Sequence, residues 1–205
     1  MFRLPICICL ILFAGLAAPL GARVGTSSHS VLTVILDFQE PYSRTSLNEM
    51  KREAGLVLSS SGVLLDWRIL GEDAPEADND LVLMRFRGAC QYGQVAPVND
   101  GPGPLGFTRM VDGEVQPFGE VDCGRIVNSA RNAMLDSDYA QGNLLIGRAI
   151  GRVVAHELVH MLTKSGQHGA EGVEKPALSG AQLISGYLPL SAFDIVRLRQ
   201  TLRYR

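Results

Sequence analysis

Three of the four histidines in this chain of 205 residues fall close together, at positions 156, 160 and 168. His156 and His160 are four residues apart, so on a helix their side chains lie on one face, about one turn apart. They can therefore direct two imidazoles to a single metal ion. Glu157 directly follows His156 and reaches the same cleft from the side, without having to be a ligand.

The order His-Glu-x-x-His on a helix is typical of zinc hydrolases, in which the glutamate takes a proton from the attacking water. Zinc lowers the pKa of that water to about 7, so hydroxide is available at neutral pH. So short a pattern also occurs by chance in helices that bind no metal. Here, however, residues 143–155 combine a capping residue, Asn143, with a wide apolar face, which indicates a buried helix. Gly166 is expected to end it after Lys164.

The third metal ligand is left open by the sequence. A catalytic zinc site usually has three protein ligands and one open position. His168 is the first candidate, because it lies just past Gly166, where the chain can turn back beneath the helix. Glu171 and Glu174 compete with it, since a carboxylate also binds zinc. An exposed loop histidine is the alternative for His168, and both glutamates can equally be solvated loop charges.

The first 22 residues are predicted to be a secretory signal peptide. Arg3 supplies a positive charge, Ile6 to Ala18 is apolar, and small residues suit cleavage as far along as Ala22. The apolar stretch is short for a membrane span, although an uncleaved anchor is the alternative. We therefore expect a secreted or periplasmic protein with one domain over residues 23–205. No stable membrane association is expected after cleavage.

Two cysteines, Cys90 and Cys123, remain once the predicted signal peptide is removed. In an oxidising compartment they are expected to form a disulfide, with two unpaired buried thiols as the alternative. The formal net charge is −2, with both signs interspersed along the chain. This charge pattern does not indicate a nucleic-acid partner.

Strands and helices are predicted in an order that favours a mixed fold. Apolar, β-rich segments predict six strands, at 30–38, 63–70, 81–87, 106–111, 115–118 and 120–127. Periodic apolar residues predict four helices, over about 44–60, 144–165 and 179–185 and from 191 onward. The opening strand–helix–strand order implies a right-handed crossover and parallel pairing. Asp112-Gly113 predicts a hairpin between the fourth and fifth strands.

This element order and the histidine motif resemble the zincin metallopeptidases, and within them the metzincin group. The metzincin signature His-Glu-x-x-His-x-x-Gly-x-x-His corresponds to residues 156–168, where the final link is two residues longer. The segment from Leu190 to Tyr204 is similar to the C-terminal helix of matrixin-type catalytic domains. No methionine follows Met161, so Leu183 or Ile184 would take the place of the metzincin methionine beneath the metal.

The resemblance implies an α+β fold: a mixed twisted sheet with a packed helix, an active-site helix and a C-terminal helix. It implies that Zn²⁺ is bound by the three histidines of the motif, namely His156, His160 and His168. Glu157 would be the catalytic base. Tyr187 is a candidate for steadying the oxyanion, with a structural or surface tyrosine as the alternative.

Three functions are compatible with these residues. The first is a secreted zinc endopeptidase whose peptide or protein substrate pairs with an edge strand, at 106–111 or 115–121. The second is a non-peptidase zinc amidohydrolase, acting on a small molecule or a cell-wall fragment. The third is a catalytically silent zincin-fold binding protein. The intact Glu157 argues against the third, because a purely structural metal site has no use for a base.

Overall fold

The computed structural model describes residues 30–72, 80–93 and 103–203, so the predicted signal peptide lies outside the described residues. The strands are β1 (Ser30–Phe38), β2 (Val63–Ile69), β3 (Asp80–Arg87), β4 (Gly106–Val111) and β5 (Glu114–Asp122). The helices are α1 (Arg44–Ser59), α2 (Cys123–Arg131), α3 (Gly142–Thr163), α4 (Gly180–Ile184) and α5 (Ala192–Arg203). Short 3-10 turns at Asp136–Gln141 and Gly172–Glu174 flank α3 and the segment after it.

The five strands form one mixed sheet in the order β2-β1-β3-β5-β4. Strand β1 runs parallel to β2 and β3, and β3 runs parallel to β5. Strand β4 returns antiparallel to β5 through the predicted hairpin, with a register shift between Thr108 and Met110. The predicted α+β class is confirmed, and β4 is the edge strand on this side of the sheet. No helix in the described ranges is long and apolar enough to cross a membrane.

The prediction of a strand over residues 120–127 is wrong after Asp122, where helix α2 begins. The side chain of Asp122 accepts a hydrogen bond from the backbone N–H of Arg125 at 2.9 Å, which caps the new helix. Residues 115–122 belong to the single strand β5 instead of two strands. The β-branched residues that suggested a strand are buried at helical spacing, together with their small neighbours: Cys123, Ile126, Val127 and Ala130.

Helices α1 and α3 pack closely on one another because two glycines of α3 face the backbone of α1. A Cβ atom on Gly147 would lie 2.5 Å from the carbonyl oxygen of Ser46. A Cβ atom on Gly151 would lie 2.7 Å from the carbonyl oxygen of Met50. Neither contact is sterically possible, so the crossing depends on glycine at both positions.

A set of charged side chains lies at this crossing, and we call Glu49, Arg52, Glu53, Arg148 and Arg152 the Arg152 network; Glu49, Glu53 and Arg152 are buried. Arg152 is 1% exposed, and its Nε donates to Glu53 Oε1 at 2.8 Å. Its two remaining nitrogens donate to the backbone carbonyls of Gln182 and Gly186. The network therefore ties α1 and α3 to the chain around the end of α4.

The ends of α3 differ from the prediction. Gln141 occupies the N-cap position, and Asn143 lies inside the first turn, where its Oδ1 accepts from the backbone N–H of Tyr92 at 2.8 Å. The helix ends at Thr163, because Lys164 takes a left-handed conformation with φ of 50°. Gly166 is thus not the terminating residue.

The predicted disulfide between Cys90 and Cys123 is confirmed, with an S–S distance of 2.01 Å. It joins the chain just beyond β3 to the first residue of α2. The two cysteines are 33 residues apart, and the segment between them contains both strands of the β4–β5 hairpin. The disulfide therefore closes a covalent loop that contains the hairpin.

Candidate metal centre

His156, His160 and His168 lie together at the C-terminal end of α3. The Nε2 atoms of His156 and His160 are 3.1 Å apart. The ring centroid of His168 lies 5.1 Å from that of His156 and 4.8 Å from that of His160. The potential ligand atoms of all three lie within 4.8 Å of one another. His168, the first candidate for the third ligand, therefore lies together with His156 and His160.

The turn after α3 explains how a longer link still returns His168 to the helix. The left-handed Lys164 reverses the chain, and the backbone N–H of Ser165 donates to the carbonyl of His160 at 3.2 Å. The Ser165 hydroxyl then accepts from the backbone N–H of Gln167 at 3.2 Å. The two additional residues are therefore taken up in a hydrogen-bonded turn instead of displacing the histidine.

Backbone carbonyls determine the tautomers of the two helical histidines. The Nδ1 of His156 lies 2.9 Å from the carbonyl oxygen of Val173, and the Nδ1 of His160 lies 2.7 Å from that of Ser165. A carbonyl only accepts, so each Nδ1 carries the hydrogen and each Nε2 presents a lone pair. Two lone pairs that face each other at 3.1 Å repel unless a cation lies between them.

A proton does not relieve this repulsion at neutral pH. Burial lowers the pKa of His156 to about 4, with smaller contributions in the same direction from His160 and His168. Burial likewise lowers the pKa of His160. The imidazoles are therefore neutral and available as ligands, and the donor set fits a metal ion.

Glu157 lies beside this group and is 4% exposed. The hydroxyl of Thr108, on the edge strand β4, donates to its Oε2 at 2.8 Å. Burial raises the pKa of Glu157 to about 7, although the hydrogen bond from Thr108 acts in the opposite direction. A carboxylate with a pKa near the working pH is suited to taking and returning a proton.

The three histidines and Glu157 line an open cleft of about 570 Å³. One wall is formed by β4, including Gly106, Phe107 and Thr108. Apolar side chains make up much of the remaining surface, among them Leu105, Met110, Val115, Val153 and Leu178. Lys175 is the one lysine or arginine among the described lining residues. The cleft can therefore take a chain that carries apolar side chains.

Among the described residues, none of the other candidates belongs to the group of possible metal ligands formed by the three histidines. Glu171 is exposed and lies outside the cluster. Glu174 is completely buried, with its Oε1 3.6 Å from the Nδ1 of His156, which is the nitrogen turned away from the cluster. Tyr187 is 62% exposed and is not among the residues that line the cleft. Its assignment to the oxyanion stays a prediction.

Behind His156, Glu174 belongs to a buried group that also contains Asp194 and Arg197, which we call the Glu174 cluster. The Nη2 of Arg197 lies 3.8 Å from Glu174 Oε2 and 3.6 Å from Asp194 Oδ1, so neither contact is a hydrogen bond. Neither oxygen of Glu174 has a hydrogen-bond partner in the described part of the chain. Burial and, to a lesser extent, the charge of Asp194 raise the pKa of Glu174 to about 9.

Sequence reasoning missed the parts played by Thr108, Glu174 and Arg197. Thr108 is 49 residues from Glu157 and carries no local signal of its partner. At the start of α5, the Ser191 hydroxyl accepts from the backbone N–H of Asp194 at 3.1 Å and donates to its Oδ2 at 2.6 Å. The second role of Asp194, beside Glu174, depends on the packing of α5 against α3.

Comparisons with known proteins find similarity among solved structures. No protein-family profile matches the sequence, and no curated protein sequence matches it. The crystal structure of archaemetzincin from Methanopyrus kandleri is similar over 88% of this chain and 99% of that chain, with 15% sequence identity and a TM-score of 0.49. That protein is a metzincin, the group that the histidine motif resembles. At so low an identity, the chemistry of this site rests on its own residues.

Proposed function

We propose that this chain is a secreted zinc-dependent peptidase. The observation that carries the proposal is the pair of buried, neutral imidazoles whose Nε2 lone pairs face each other at 3.1 Å, with His168 beside them. Three nitrogen ligands and an open fourth position are the arrangement that catalytic zinc prefers. Cys90 and Cys123 are bonded to each other, so neither supplies a thiolate ligand and the donor set of this group is made of imidazole nitrogens.

The bound metal would act as a Lewis acid on the scissile carbonyl and lower the pKa of the attacking water. Glu157 would accept the proton of that water at one carboxylate oxygen and later deliver it to the leaving amine. Its burial supports this role, because a pKa of about 7 lets the carboxyl group exist in both protonation states near neutral pH.

The edge position of β4 supports a peptide as the substrate. A strand at the edge of a sheet has backbone N–H and C=O groups that can pair with an extended peptide. Strand β4 also lines the cleft that contains the histidines, so a peptide paired with it passes beside the metal site. The apolar lining then provides room for the side chains of that peptide.

The two alternative functions make different predictions for this cleft. An amidohydrolase for small molecules would use the same metal and base in a cleft of about 570 Å³, without pairing to β4. A silent binding protein would gain nothing from a buried carboxyl group with a raised pKa beside the metal. The open edge strand favours the peptidase over the first alternative, and Glu157 favours it over the second.

A peptide-library digest with the zinc-loaded protein tests the proposal. We expect cleavage that a chelator abolishes, that zinc restores, and that Glu157→Gln reduces by at least 10²-fold. Metal analysis should find one zinc in Glu157→Gln and less in His168→Ala, with Glu171→Gln as a matched control that retains both metal and activity. Zinc binding without cleavage of any peptide would contradict the peptidase, and hydrolysis of small amides alone would favour the amidohydrolase.

Secretion is proposed on the predicted signal peptide and is supported by the disulfide, since such bonds persist in oxidising compartments. Expression of the full chain followed by N-terminal sequencing of the exported protein tests it. A mature protein that begins near residue 23 is the expected result. An uncleaved chain retained in the membrane would contradict it.

A further inference from the structure

We propose that Thr108 is a positioning residue for Glu157: its hydroxyl holds Oε2 so that Oε1 faces the cleft. This inference rests on the proposed function, because it assigns Glu157 the role of base. Thr108 donates to Oε2 at 2.8 Å, and its oxygen also lies 3.2 Å from the carbonyl oxygen of Glu157. The single hydroxyl hydrogen favours the carboxylate, because that contact is shorter and the acceptor is charged.

A glutamate side chain has three rotatable bonds, and a general base must be held within reach of its proton. Thr108 is suited to holding it. A β-branched side chain has restricted χ1 freedom, and the backbone at Thr108 is paired with Gly119 of β5. The donor is therefore presented from a rigid element instead of a loop.

Glycines on the same sheet face bring this donor close to α3. A Cβ atom on Gly106 would lie 3.1 Å from Glu157 Oε1 and 2.8 Å from Val153 Cγ1. A Cβ atom on Gly119, the partner of Thr108, would lie 2.5 Å from Met161 Cε. Gly106 and Thr108 are two residues apart and so share one face of β4. Gly106 leaves space beside Oε1, while Thr108 binds Oε2.

This arrangement gives β4 two functions. The edge of the strand would pair with the substrate peptide, and one of its faces borders the cleft. The Thr108 hydroxyl on the same strand orients the base. The distance between substrate and base is thereby defined by one element. We expect the loss of the hydroxyl to affect turnover more than substrate binding.

Kinetics of two variants at this position test the inference. Thr108→Val keeps the shape but removes the donor, and Thr108→Ser keeps the donor. With equal zinc content, we expect Thr108→Val to lower kcat by about 10- to 100-fold while KM changes less than about twofold. Thr108→Ser should restore most of the activity. Thr201→Val is the matched control, because its hydroxyl donates to a helix carbonyl in α5 at 3.1 Å.

A measurement on the metal-free protein tests the contact without turnover. In a double-mutant cycle of Thr108→Val with Glu157→Met, the losses in Tm should be less than additive, because Thr108→Val removes the donor and Glu157→Met removes the acceptor of the same hydrogen bond. Additive losses, unchanged kcat in Thr108→Val, or no recovery in Thr108→Ser would each overturn the inference. If Thr108→Val does not fold, Thr108→Ala against Thr108→Ser makes the same comparison. A wild-type protein that cleaves no peptide refutes the proposed function. The double-mutant cycle still tests the hydrogen bond between Thr108 and Glu157 in that case.

Discussion

Helix α3 lies between two clusters of buried charges that differ in how completely their members are paired. In the Arg152 network, Arg152 donates to Glu53 at 2.8 Å, and Glu53 also accepts from Arg52 at 3.0 Å. In the Glu174 cluster, Arg197 remains 3.6 Å or more from both carboxylates. The first cluster connects elements of the scaffold, and the second lies directly behind the candidate metal ligand His156.

The comparison teaches where the molecule tolerates unsatisfied polar groups. Buried charges are destabilising unless they are paired and hydrogen-bonded, so the Arg152 network has the form expected of a structural element. Unpaired buried groups are uncommon in native proteins and tend to be found where function requires them. The Glu174 cluster is therefore the side of α3 that we expect to respond to pH and to metal binding.

Breaking the Arg152 network should have the largest effect on stability. Arg152→Met retains much of the volume but leaves Glu53 buried with only the half-exposed Arg52 as an ion-pair partner, and leaves two backbone carbonyls without their donor. We expect a loss of about 3–5 kcal/mol in the free energy of unfolding, measured by urea denaturation. A loss below about 1 kcal/mol would show that the two clusters are energetically alike.

Metal binding should stabilise the side of α3 that carries the Glu174 cluster. Zinc at a hundredfold excess over its Kd should raise the free energy of unfolding by about 2.7 kcal/mol, and a chelator should reverse the change. Hydrogen exchange should slow at residues 172–174 and 165–168 and remain unchanged where α1 crosses α3. His168→Ala should lose most of both effects. Equal slowing of hydrogen exchange on both sides of α3 would contradict the proposed difference between the two clusters.

Glu174→Gln should alter how the stability of the metal-free protein depends on pH. The pKa of Glu174 is about 9 in the folded protein and near 4.5 when unfolded. Between these values the unfolded chain releases a proton that the folded chain keeps, so stability falls as pH rises. Glutamine cannot ionise, so the variant should match the wild type near pH 4.5.

The advantage of the variant in the free energy of unfolding should then grow as the pH rises toward 9. Urea denaturation in the presence of a chelator, at several pH values, measures this difference. Glu157 also has a raised pKa, and its charge contributes to the raised pKa of Glu174, so Glu157 adds to the pH dependence in both proteins. A difference that does not change with pH would contradict the assignment.

Arg52→Met should have the smallest effect, although it belongs to the better-paired cluster. The Arg52 side chain is 51% exposed, so solvent screens its ion pairs with Glu49 and Glu53. We expect less than about 1 kcal/mol in the same urea measurement. A loss as large as that of Arg152→Met would show that burial does not separate the members of the network.

Local patterns predicted the residues whose chemistry and spacing lie close together in the chain. The pair His156 and His160 and the hairpin at Asp112-Gly113 are of this kind. His168 and the disulfide could be proposed because few other histidines and cysteines were available. Helix α2 was missed because its β-branched residues favour a strand, whereas the hydrogen bond that the backbone N–H of Arg125 donates to the Asp122 side chain marks the start of the helix.

Contacts between distant segments could not be predicted. Glu53 and Arg152 are 99 residues apart, and each alone looks like an ordinary charged residue on the polar side of a helix. Glu174 could be named as a ligand candidate, but the direction in which its side chain points depends on the turn at Gly172. Gly172 has φ of 66° and lies against the carbonyl of Pro189. Tertiary packing determines these contacts, and no short segment of the sequence encodes them.

The disulfide has a consequence for the conformational freedom of the β4–β5 hairpin. Strand β4 is paired with β5 at the edge of the sheet, and its Thr108 donates to Glu157 at 2.8 Å. The bond between Cys90 and Cys123 closes the loop that contains this hairpin, which by loop entropy alone is worth about 3–4 kcal/mol. The wall of the cleft that carries Thr108 therefore belongs to a loop whose unfolded states are restricted by a covalent bond.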